Sequence, residues 1–216
     1  MHRLTVVLIL TLAFGGAACP QELVGRLKYG GGGDWYANAT SLPNLLEFAR
    51  AHTNLKLPLR EVTVEPGSRD LHGFAWVHAT GHGRISFTPE EARNLREYLL
   101  GGGFLHVDDN YGLDESFREA VRVVFPDRDL VELPFSHPIY HCFFEFPGGL
   151  PKVHEHHGGP PHGYGIVHEG RVVLFYSFNT DLGNGWESAE VHGNPEEIRE
   201  QALRMGTNLL VYALSR

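Results

Sequence analysis

Residues 88–112 read TPEEARNLREYLLGGGFLHVDDNYG, and this stretch decides the fold. Thr88 and Glu91 have the spacing of a capping box, which predicts that a helix begins here and runs to the glycines at 101–103. The apolar residues 104–107 then predict a short buried strand. A capped helix, a glycine turn and a buried strand in this order are typical of a doubly wound α/β sheet.

Polar side chains follow directly after that strand. Ligands of doubly wound sheets bind beyond the carboxyl ends of the strands, so we expect a site at Asp108, Asp109 and Asn110. If the strand continues through them, Asp108 and Asp109 point to opposite sides and only one enters the cleft. Asp109 and Asn110 also fit a turn that leads into a helix. His106 shares the face of Asp108, either as a metal-binding or proton-relay pair or as a hydrogen-bonded core histidine.

The composition fits one globular α/β domain. The 216 residues are 42% apolar and carry a formal net charge of -8. A chain of this length can bury a proper core without a second domain. The acidic balance and the absence of a basic stripe argue against a nucleic-acid partner. Fourteen histidines are unusual for this length, and seven of them fall between His137 and His168.

The amino terminus has the pattern of an export signal. Arg3 supplies the positive charge, residues 4–14 form an apolar stretch too short to span a bilayer, and small residues precede Cys19. We therefore expect a signal peptide at residues 1–18 and a single domain at 19–216, exported to the periplasm. Cys19 is either lipidated, which would anchor the protein to the membrane, or simply the residue after cleavage. We expect Cys142 to be alone in the mature chain, where it would have no partner for an internal disulfide.

Strands and helices are predicted to alternate, which favours a largely parallel sheet with helices on both faces. The predicted strands are residues 23–29, 60–64, 73–78, 104–107 and 130–133, with a C-terminal hairpin at 164–177. The predicted helices are residues 42–52, the helix that begins at Thr88, residues 114–125 and a final helix that begins at 194. The Gly, Pro and His-rich residues 147–163 are predicted to form a loop.

Four polar clusters follow predicted strands, at residues 30–35, 78–83, 106–110 and 136–141. Because the carboxyl ends of parallel strands meet at one edge, we expect these clusters to share a cleft. In particular, Gly33, His82, Asp108 and His137 are expected within one ligand-sized space.

The chain resembles a known bacterial family, domain-of-unknown-function family 4159. The matching motifs are GDW at 33–35, TGHG at 80–83, GGGF at 101–104 with DD at 108–109, HPIY at 137–140, and GR at 170–171 leading into 179–186. The resemblance implies a flavodoxin-like fold close to the class I glutamine amidotransferases, and it implies no established activity. Those enzymes have a cysteine in the turn after the strand that corresponds to 104–107. Here Asp108, Asp109 and Asn110 stand there, and Cys142 lies more than 30 residues further on.

The residue types allow two kinds of chemistry. The catalytic candidates are His82, His106, Asp108 and His137. His137 and His141 have i, i+4 spacing, which lets two imidazoles meet a metal on a helix, although Pro138 interrupts such a helix. Zinc or another transition metal would suit these ligands. No nucleotide is expected, because the glycine run at 30–33 lacks the Lys-Ser/Thr of a phosphate loop and the Rossmann spacing.

Five aromatic residues lie beside the polar clusters, as in proteins that bind carbohydrate, although buried aromatics look the same in a sequence. They are Trp35, Tyr36, Tyr111, Tyr140 and Trp186. The ligand-binding candidates are Gly32, Gly33, Asp34, Trp35, Asp109, Asn110, Tyr140 and Trp186. Our leading interpretation is an exported protein whose amidotransferase-like cleft lacks the nucleophilic cysteine and binds a small polar ligand, a glycan or a periplasmic protein. The alternative is a hydrolase, with or without a metal, that uses the His/Asp cluster.

Overall fold

A computed structural model of the chain describes residues 23–154 and 158–215. Seven strands form one sheet in the order β2-β1-β3-β4-β7-β6-β5. The strands are β1 (Leu23–Leu27), β2 (Val62–Val64), β3 (Phe74–Ala79), β4 (Leu105–Asp108), β5 (Val131–Glu132), β6 (His162–His168) and β7 (Arg171–Phe178). The first five strands in that order are parallel, and β6 is antiparallel to both of its neighbours.

Helices cover both faces of the sheet. They are α1 (Ser41–His52), α2 (Pro89–Leu100), α3 (Asp114–Val124), α4 (Leu182–Trp186), α5 (Ala189–His192) and α6 (Glu196–Leu214). One hydrophobic core lies between the sheet and α2 with α3, and a second lies between the sheet and α1, α4 and α6. Among the described residues no helix combines the length and apolarity that a membrane span requires.

The predicted fold class is confirmed, since this is a doubly wound, largely parallel sheet with a C-terminal hairpin, β6 and β7. The parallel strands follow the flavodoxin-like order, with β7 in the place of the fifth strand. The structure differs from the prediction mainly at the edges of the sheet, where β5 keeps only two residues and β2 three. The predicted loop at 147–163 includes residues 155–157, which lie outside the described part, and its last two residues already belong to β6. The predicted signal peptide at 1–18 also lies outside it.

Two short helices, α4 and α5, were not predicted. They are five and four residues long, and α4 contains two glycines, so helical periodicity cannot develop in either. The helix α4 matters for the site because it packs over the carboxyl end of the central strands.

The stretch that decides the fold forms as its sequence indicates. The Thr88 hydroxyl accepts from the Glu91 amide at 3.3 Å, and the Glu91 carboxylate accepts from the Thr88 amide at 2.8 Å, which completes the capping box. After the helix, Gly102 takes the left-handed conformation with φ 107°. Gly103 then packs so tightly against the ring of Tyr98 that a β-carbon would lie 2.2 Å from it. The sharp turn therefore needs glycine at these positions, and β4 begins two residues after Gly103.

We expect Thr88→Ala to lower the free energy of unfolding by about 1 kcal/mol, because the Glu91 amide loses its acceptor. Thr88→Ser keeps the hydroxyl and should stay close to the wild type. Urea unfolding of the three proteins measures this, and equal losses in both variants would show that the methyl group, not the cap, carries the effect.

Candidate functional site

The loops that follow β1, β3 and β4 meet at the carboxyl edge of the sheet. The Gly33 amide donates to the Arg84 carbonyl at 2.8 Å, which joins the first loop to the second. The Gly83 amide donates to the Tyr111 carbonyl at 3.3 Å, which joins the second loop to the third. Three of the four predicted polar clusters therefore lie together, in the order in which their strands lie in the sheet.

Asp108, the last residue of β4, is completely buried and ties three elements together. One carboxylate oxygen accepts from the Ser177 hydroxyl at 2.5 Å and from the Leu182 amide at 3.1 Å. The other accepts from the Gly183 amide at 2.6 Å. Burial, together with repulsion from Asp181, raises the pKa of Asp108 well above its ordinary value, against the opposing effect of these hydrogen bonds. Asp108 thus binds the first turn of α4 to the ends of β4 and β7.

Two buried histidines extend this contact into a chain, which we call the inner network: His78, His106, Ser177 and Asp108. The Nε2 atom of His106 lies 2.9 Å from the Ser177 hydroxyl, and its Nδ1 atom lies 3.0 Å from Nδ1 of His78. Burial lowers the pKa of both rings, for His106 to about 3, so both are neutral near pH 7. When Asp108 is ionised, the hydrogen bonds of the inner network all have the same direction. His78 donates to His106, His106 donates to the Ser177 hydroxyl, and that hydroxyl donates to the Asp108 carboxylate. Protonation of Asp108 reverses the chain.

The indole of Trp186 closes the inner network from the side of α4. Its ring centroid lies 5.2 Å from that of His78 and 5.6 Å from that of His106. The indole nitrogen donates to the Ala202 carbonyl of α6 at 2.7 Å, and the side chain is fully buried. Trp186 is therefore a core residue over the network, and no aromatic face of it meets solvent.

Asp109 and Asn110 diverge from Asp108, as strand alternation predicts. Asp109 accepts from the Asn179 amide at 3.3 Å and lies beside Tyr176, on the α3 side of the sheet. The Asn110 amide lies between the Thr80 hydroxyl, at 3.3 Å, and the carboxylate of Asp181, to which its amino group points in the orientation that satisfies both neighbours. Both residues are buried, so they hold loops together.

Asp181 has a backbone conformation that is rare for its residue type, the left-handed region with φ 61° and ψ 54°. Its carboxylate is buried and accepts from the Asn184 amide group, and it lies 3.4 Å from Nδ1 of His154. The hydrogen bond to Asp181 raises the pKa of His154. A strained, buried carboxylate of this kind persists only where its surroundings hold it.

The solvent-exposed part of the same edge is formed by Asp34, Trp35, Tyr36, His82 and Tyr111, which we call the outer face. The Nδ1 atom of His82 lies 3.0 Å from one oxygen of Asp34, and the other oxygen accepts from the His82 backbone amide. The His82 side chain is 49% exposed. This carboxylate therefore fixes both the backbone and the ring of a histidine that faces solvent.

Glycines make this arrangement sterically feasible. Gly81 has φ 140°, and a β-carbon there would lie 2.3 Å from the Tyr29 hydroxyl and 2.9 Å from a carboxylate oxygen of Asp34. A β-carbon on Gly33 would lie 2.7 Å from the Arg84 carbonyl. Gly32, by contrast, faces open space. The glycines at 33 and 81 are therefore explained by the close contact of these two loops.

The aromatic rings of the outer face are accessible. Tyr36 is 65% exposed and Tyr111 is 64% exposed, while Trp35 is half-buried and packs edge-on against Tyr36 at 5.6 Å between centroids. Tyr140, a predicted ligand-binding residue, is fully buried in the core beneath α6. Of the five aromatic residues predicted beside the polar clusters, Trp35, Tyr36 and Tyr111 lie on the outer face, and Tyr140 and Trp186 are buried.

The fourth predicted cluster does not reach this edge. The ring of His137 packs against Tyr212 at 5.7 Å, and the Tyr212 hydroxyl accepts from the Val172 amide at the start of β7. His137 therefore lies towards the amino end of the sheet, whereas Asp108 lies at the carboxyl end. The reason is topological: β5 is the outermost strand, so the chain after it turns back over the α6 face instead of continuing to the central strands.

His137 and His141 are not arranged as a pair of metal ligands. The Nδ1 atom of His137 accepts from the Ile139 amide at 3.2 Å and caps a short 3-10 turn. Both ring nitrogens of His141 are engaged, at 2.6 Å each, by the Glu145 carboxylate and the Phe135 carbonyl. Within residues 23–154 and 158–215, no group of three or more His, Cys, Asp or Glu side chains has the arrangement of a metal site.

Two important residues, Ser177 and Asp181, were not among the sequence-predicted site residues, and His78 was predicted only as a member of the polar cluster at 78–83. His78 and Ser177 each lie one residue before the end of their strand, β3 or β7, and Asp181 lies three residues after the end of β7. The usable signal was the polar run from Ser177 to Asn184, which begins at the end of the apolar strand β7 and is interrupted only by Phe178 and by Leu182 with Gly183.

The strand order and the polar carboxyl edge define a flavodoxin-like α/β protein. Within that class, the model of the family named Domain of unknown function (DUF4159) matches residues 23–214, so the chain belongs to this family. The strand order is also compatible with the resemblance to the class I glutamine amidotransferases. No curated protein matches the sequence.

We expect Asp108→Asn to lower the free energy of unfolding by about 1 to 3 kcal/mol, because an amide can accept from only one of the Leu182 and Gly183 amides and leaves the other buried donor unpaired. The exposed Asp129→Asn is the matched control and should change stability by less than about 0.5 kcal/mol. Urea unfolding measures both, and an Asp108→Asn protein as stable as the control would contradict the structural role of this carboxylate.

The same pair of proteins tests the raised pKa of Asp108. Below the ordinary carboxyl pKa, near 3.9, the group is neutral whether the protein is folded or unfolded. As the pH rises through the raised folded value, ionisation is harder in the folded state, so the stability of the wild type relative to Asp108→Asn should fall. A relative stability that rises over this range would mean that the folded pKa is depressed instead.

We expect His78 and His106 to remain neutral at pH 5, because burial lowers the pKa of both rings. Nitrogen-15 NMR of the imidazoles reports this directly. His141 is an internal control, because its hydrogen bond to Glu145 raises its pKa and its ring should be protonated at that pH. Protonated nitrogen shifts for His78 or His106 at pH 5 would mean that water reaches the inner network.

Proposed function

We propose that this protein is an exported binding protein and that its outer face binds a glycan. The observation that supports this most strongly is the exposure of two tyrosine rings, Tyr36 and Tyr111, on the loops that carry Asp34 and His82 or contact them. Tyr36 lies two residues after Asp34, and the Tyr111 carbonyl accepts from the Gly83 amide. Aromatic faces pack against the apolar faces of sugar rings, and nearby carboxylate and imidazole groups can hydrogen-bond to the hydroxyl groups at the rim. Large aromatic side chains that stay exposed on loops of a rigid sheet are typical of a binding surface.

Glutaminase chemistry has no support in the described residues. Cys142 is partly buried, its thiol donates to the Asn208 carbonyl of α6 at 3.2 Å, and burial raises its pKa to about 11. A thiol with that pKa is a poor nucleophile at neutral pH. The turn after β4 carries Asp108, Asp109 and Asn110 instead of a cysteine. The fold resemblance therefore supports a cleft, and the chemistry of its residues supports binding.

The buried position of the inner network also favours binding over catalysis there. His106 and Asp108 are completely buried and are hydrogen-bonded to Ser177, so neither can reach a substrate without displacement of α4. Their hydrogen bonds stabilise the carboxyl edge of the sheet, which accounts for both residues. This leaves the outer face as the part of the edge that a ligand reaches directly.

Export is a separate part of the proposal and rests on residues 1–18. The charged residue, the apolar stretch and the small residues before Cys19 support cleavage and transfer across the inner membrane, with a lipid on Cys19 as the means of anchoring. A periplasmic location would give a glycan-binding protein access to cell-wall material.

We expect Tyr111→Ala and Tyr36→Ala each to weaken glycan binding about fivefold, because each ring removed costs roughly 1 kcal/mol of stacking. Calorimetry with peptidoglycan fragments and with neutral oligosaccharides such as chitotetraose and xylotetraose measures the affinity. Phe143→Ala removes an exposed ring that packs edge-on against Phe144, away from the outer face, and should bind like the wild type. The proposal fails if the wild type binds none of these glycans, or if the tyrosine variants bind as tightly as it does.

A further inference from the structure

The pairing of His82 with Asp34 is more elaborate than glycan binding requires. Asp34 accepts from Nδ1 of His82 at 3.0 Å, which places the proton on Nδ1 and leaves the lone pair on Nε2. Within the described residues Nε2 of His82 has no hydrogen-bond partner, and the ring faces solvent. A histidine oriented by a carboxylate, with its second nitrogen open to a reactant, is the arrangement of a general base.

Contacts between the loops after β1 and β3 fix the position of His82. The His82 backbone amide also donates to Asp34, and the Asp34 amide donates to the His82 carbonyl at 3.2 Å, so the two residues are bound to each other through backbone and side chains. Gly81 lies against Asp34 and the Tyr29 hydroxyl, where no β-carbon fits. Tyr29 is itself anchored, because its hydroxyl donates to the Thr80 carbonyl at 3.0 Å. This ring is therefore preorganised, unlike a histidine on a free surface loop.

The chemistry of a single base limits the bonds that it can break. Cleavage of a glycosidic bond requires two carboxyl groups on either side of the sugar, about 5 to 9.5 Å apart. Asp34 is engaged with His82, and Asp108 is buried, so the outer face offers no such pair. An O-acyl ester on a sugar hydroxyl needs only an activated water and a returned proton. An ester is also easier to cleave than an N-acyl amide, because an alcohol is a better leaving group than an amine, so the ester is the bond in a glycan that suits this dyad best.

We propose that His82 and Asp34 form a catalytic dyad that removes O-acyl groups from a glycan on the outer face; this inference rests on the proposed function. Nε2 of His82 takes a proton from water as the water oxygen bonds to the acyl carbon. The tetrahedral intermediate then collapses, the bond from the acyl carbon to the sugar oxygen breaks, and the imidazolium returns the proton to that oxygen. The products are a carboxylic acid and a free sugar hydroxyl, with no oxidation or reduction.

The experiment measures acetate release from O-acetylated peptidoglycan fragments and acetylated xylan oligosaccharides, together with binding of the same glycans after chemical de-acetylation. We expect His82→Gln to lower the rate at least 100-fold, the lower end of what general-base catalysis contributes. Asp34→Asn should lower it at least tenfold, because the ring loses its orientation. Both variants keep the stacking rings Tyr36 and Tyr111, so they should still bind the de-acetylated glycan, with a loss of affinity far smaller than the loss of rate. His72→Gln, at an exposed histidine that bonds to Asn94, should leave the rate unchanged.

Chemical rescue separates catalysis from a structural role. Added imidazole should restore acetate release by His82→Ala in proportion to its concentration, and it should leave the wild type unaffected. If the wild type binds the glycans but releases no acetate above the protein-free rate, the dyad proposal is overturned and the binding proposal stands. If His72→Gln loses as much rate as His82→Gln, or imidazole gives no rescue, the dyad is also overturned. If the wild type neither binds nor releases acetate, both proposals fail.

Discussion

The rest of the structure depends on the buried carboxylate of Asp108. It ends β4, it accepts the Ser177 hydroxyl of β7, and it accepts two backbone amides at the start of α4. These bonds connect two neighbouring parallel strands to the helix that covers them. A buried carboxylate without such partners would cost several kcal/mol, so its hydrogen bonds are what make the burial tolerable. Because α4 is only five residues long, its position depends on this contact and on the packing of Trp186 rather than on its own helical stability.

The division of the carboxyl edge into a buried and an exposed part follows from strand geometry. Alternate residues of β4 point to opposite faces, so His106 and Asp108 share the α4 side and Asp109 turns to the other. The loops after β1 and β3 extend beyond the strand ends, where glycines such as Gly33 and Gly81 let them touch without side chains between them. Polar residues within the strands therefore become part of the core, and polar or aromatic residues in the loops remain available to solvent.

The sequence was sufficient for the fold class and for the local arrangement around β4, because a capped helix, a glycine turn and an apolar run are local signals. The shared face of His106 and Asp108 was equally predictable from alternation. The position of His137 was not, because it depends on where β5 lies in the sheet, and the hairpin of β6 and β7 separates β5 from β4. The burial of Tyr140 and Trp186 could not be predicted either, because both side chains are covered by α6, a separate helix later in the chain. Pairing of Asp34 with His82 required two loops to meet, a contact that neither loop encodes alone.

The central claim is that Asp108 belongs to a closed structural network and that ligands meet the outer face instead. Native-state hydrogen exchange of the Leu182 and Gly183 amides tests this most directly, because these two groups donate to Asp108. The account predicts that both amides exchange only through global unfolding, with the same free energy as the most protected amides of β4. Exchange of Leu182 and Gly183 at a clearly lower free energy, while β4 stays protected, would contradict it, because α4 would then open by itself and expose Asp108 to a ligand.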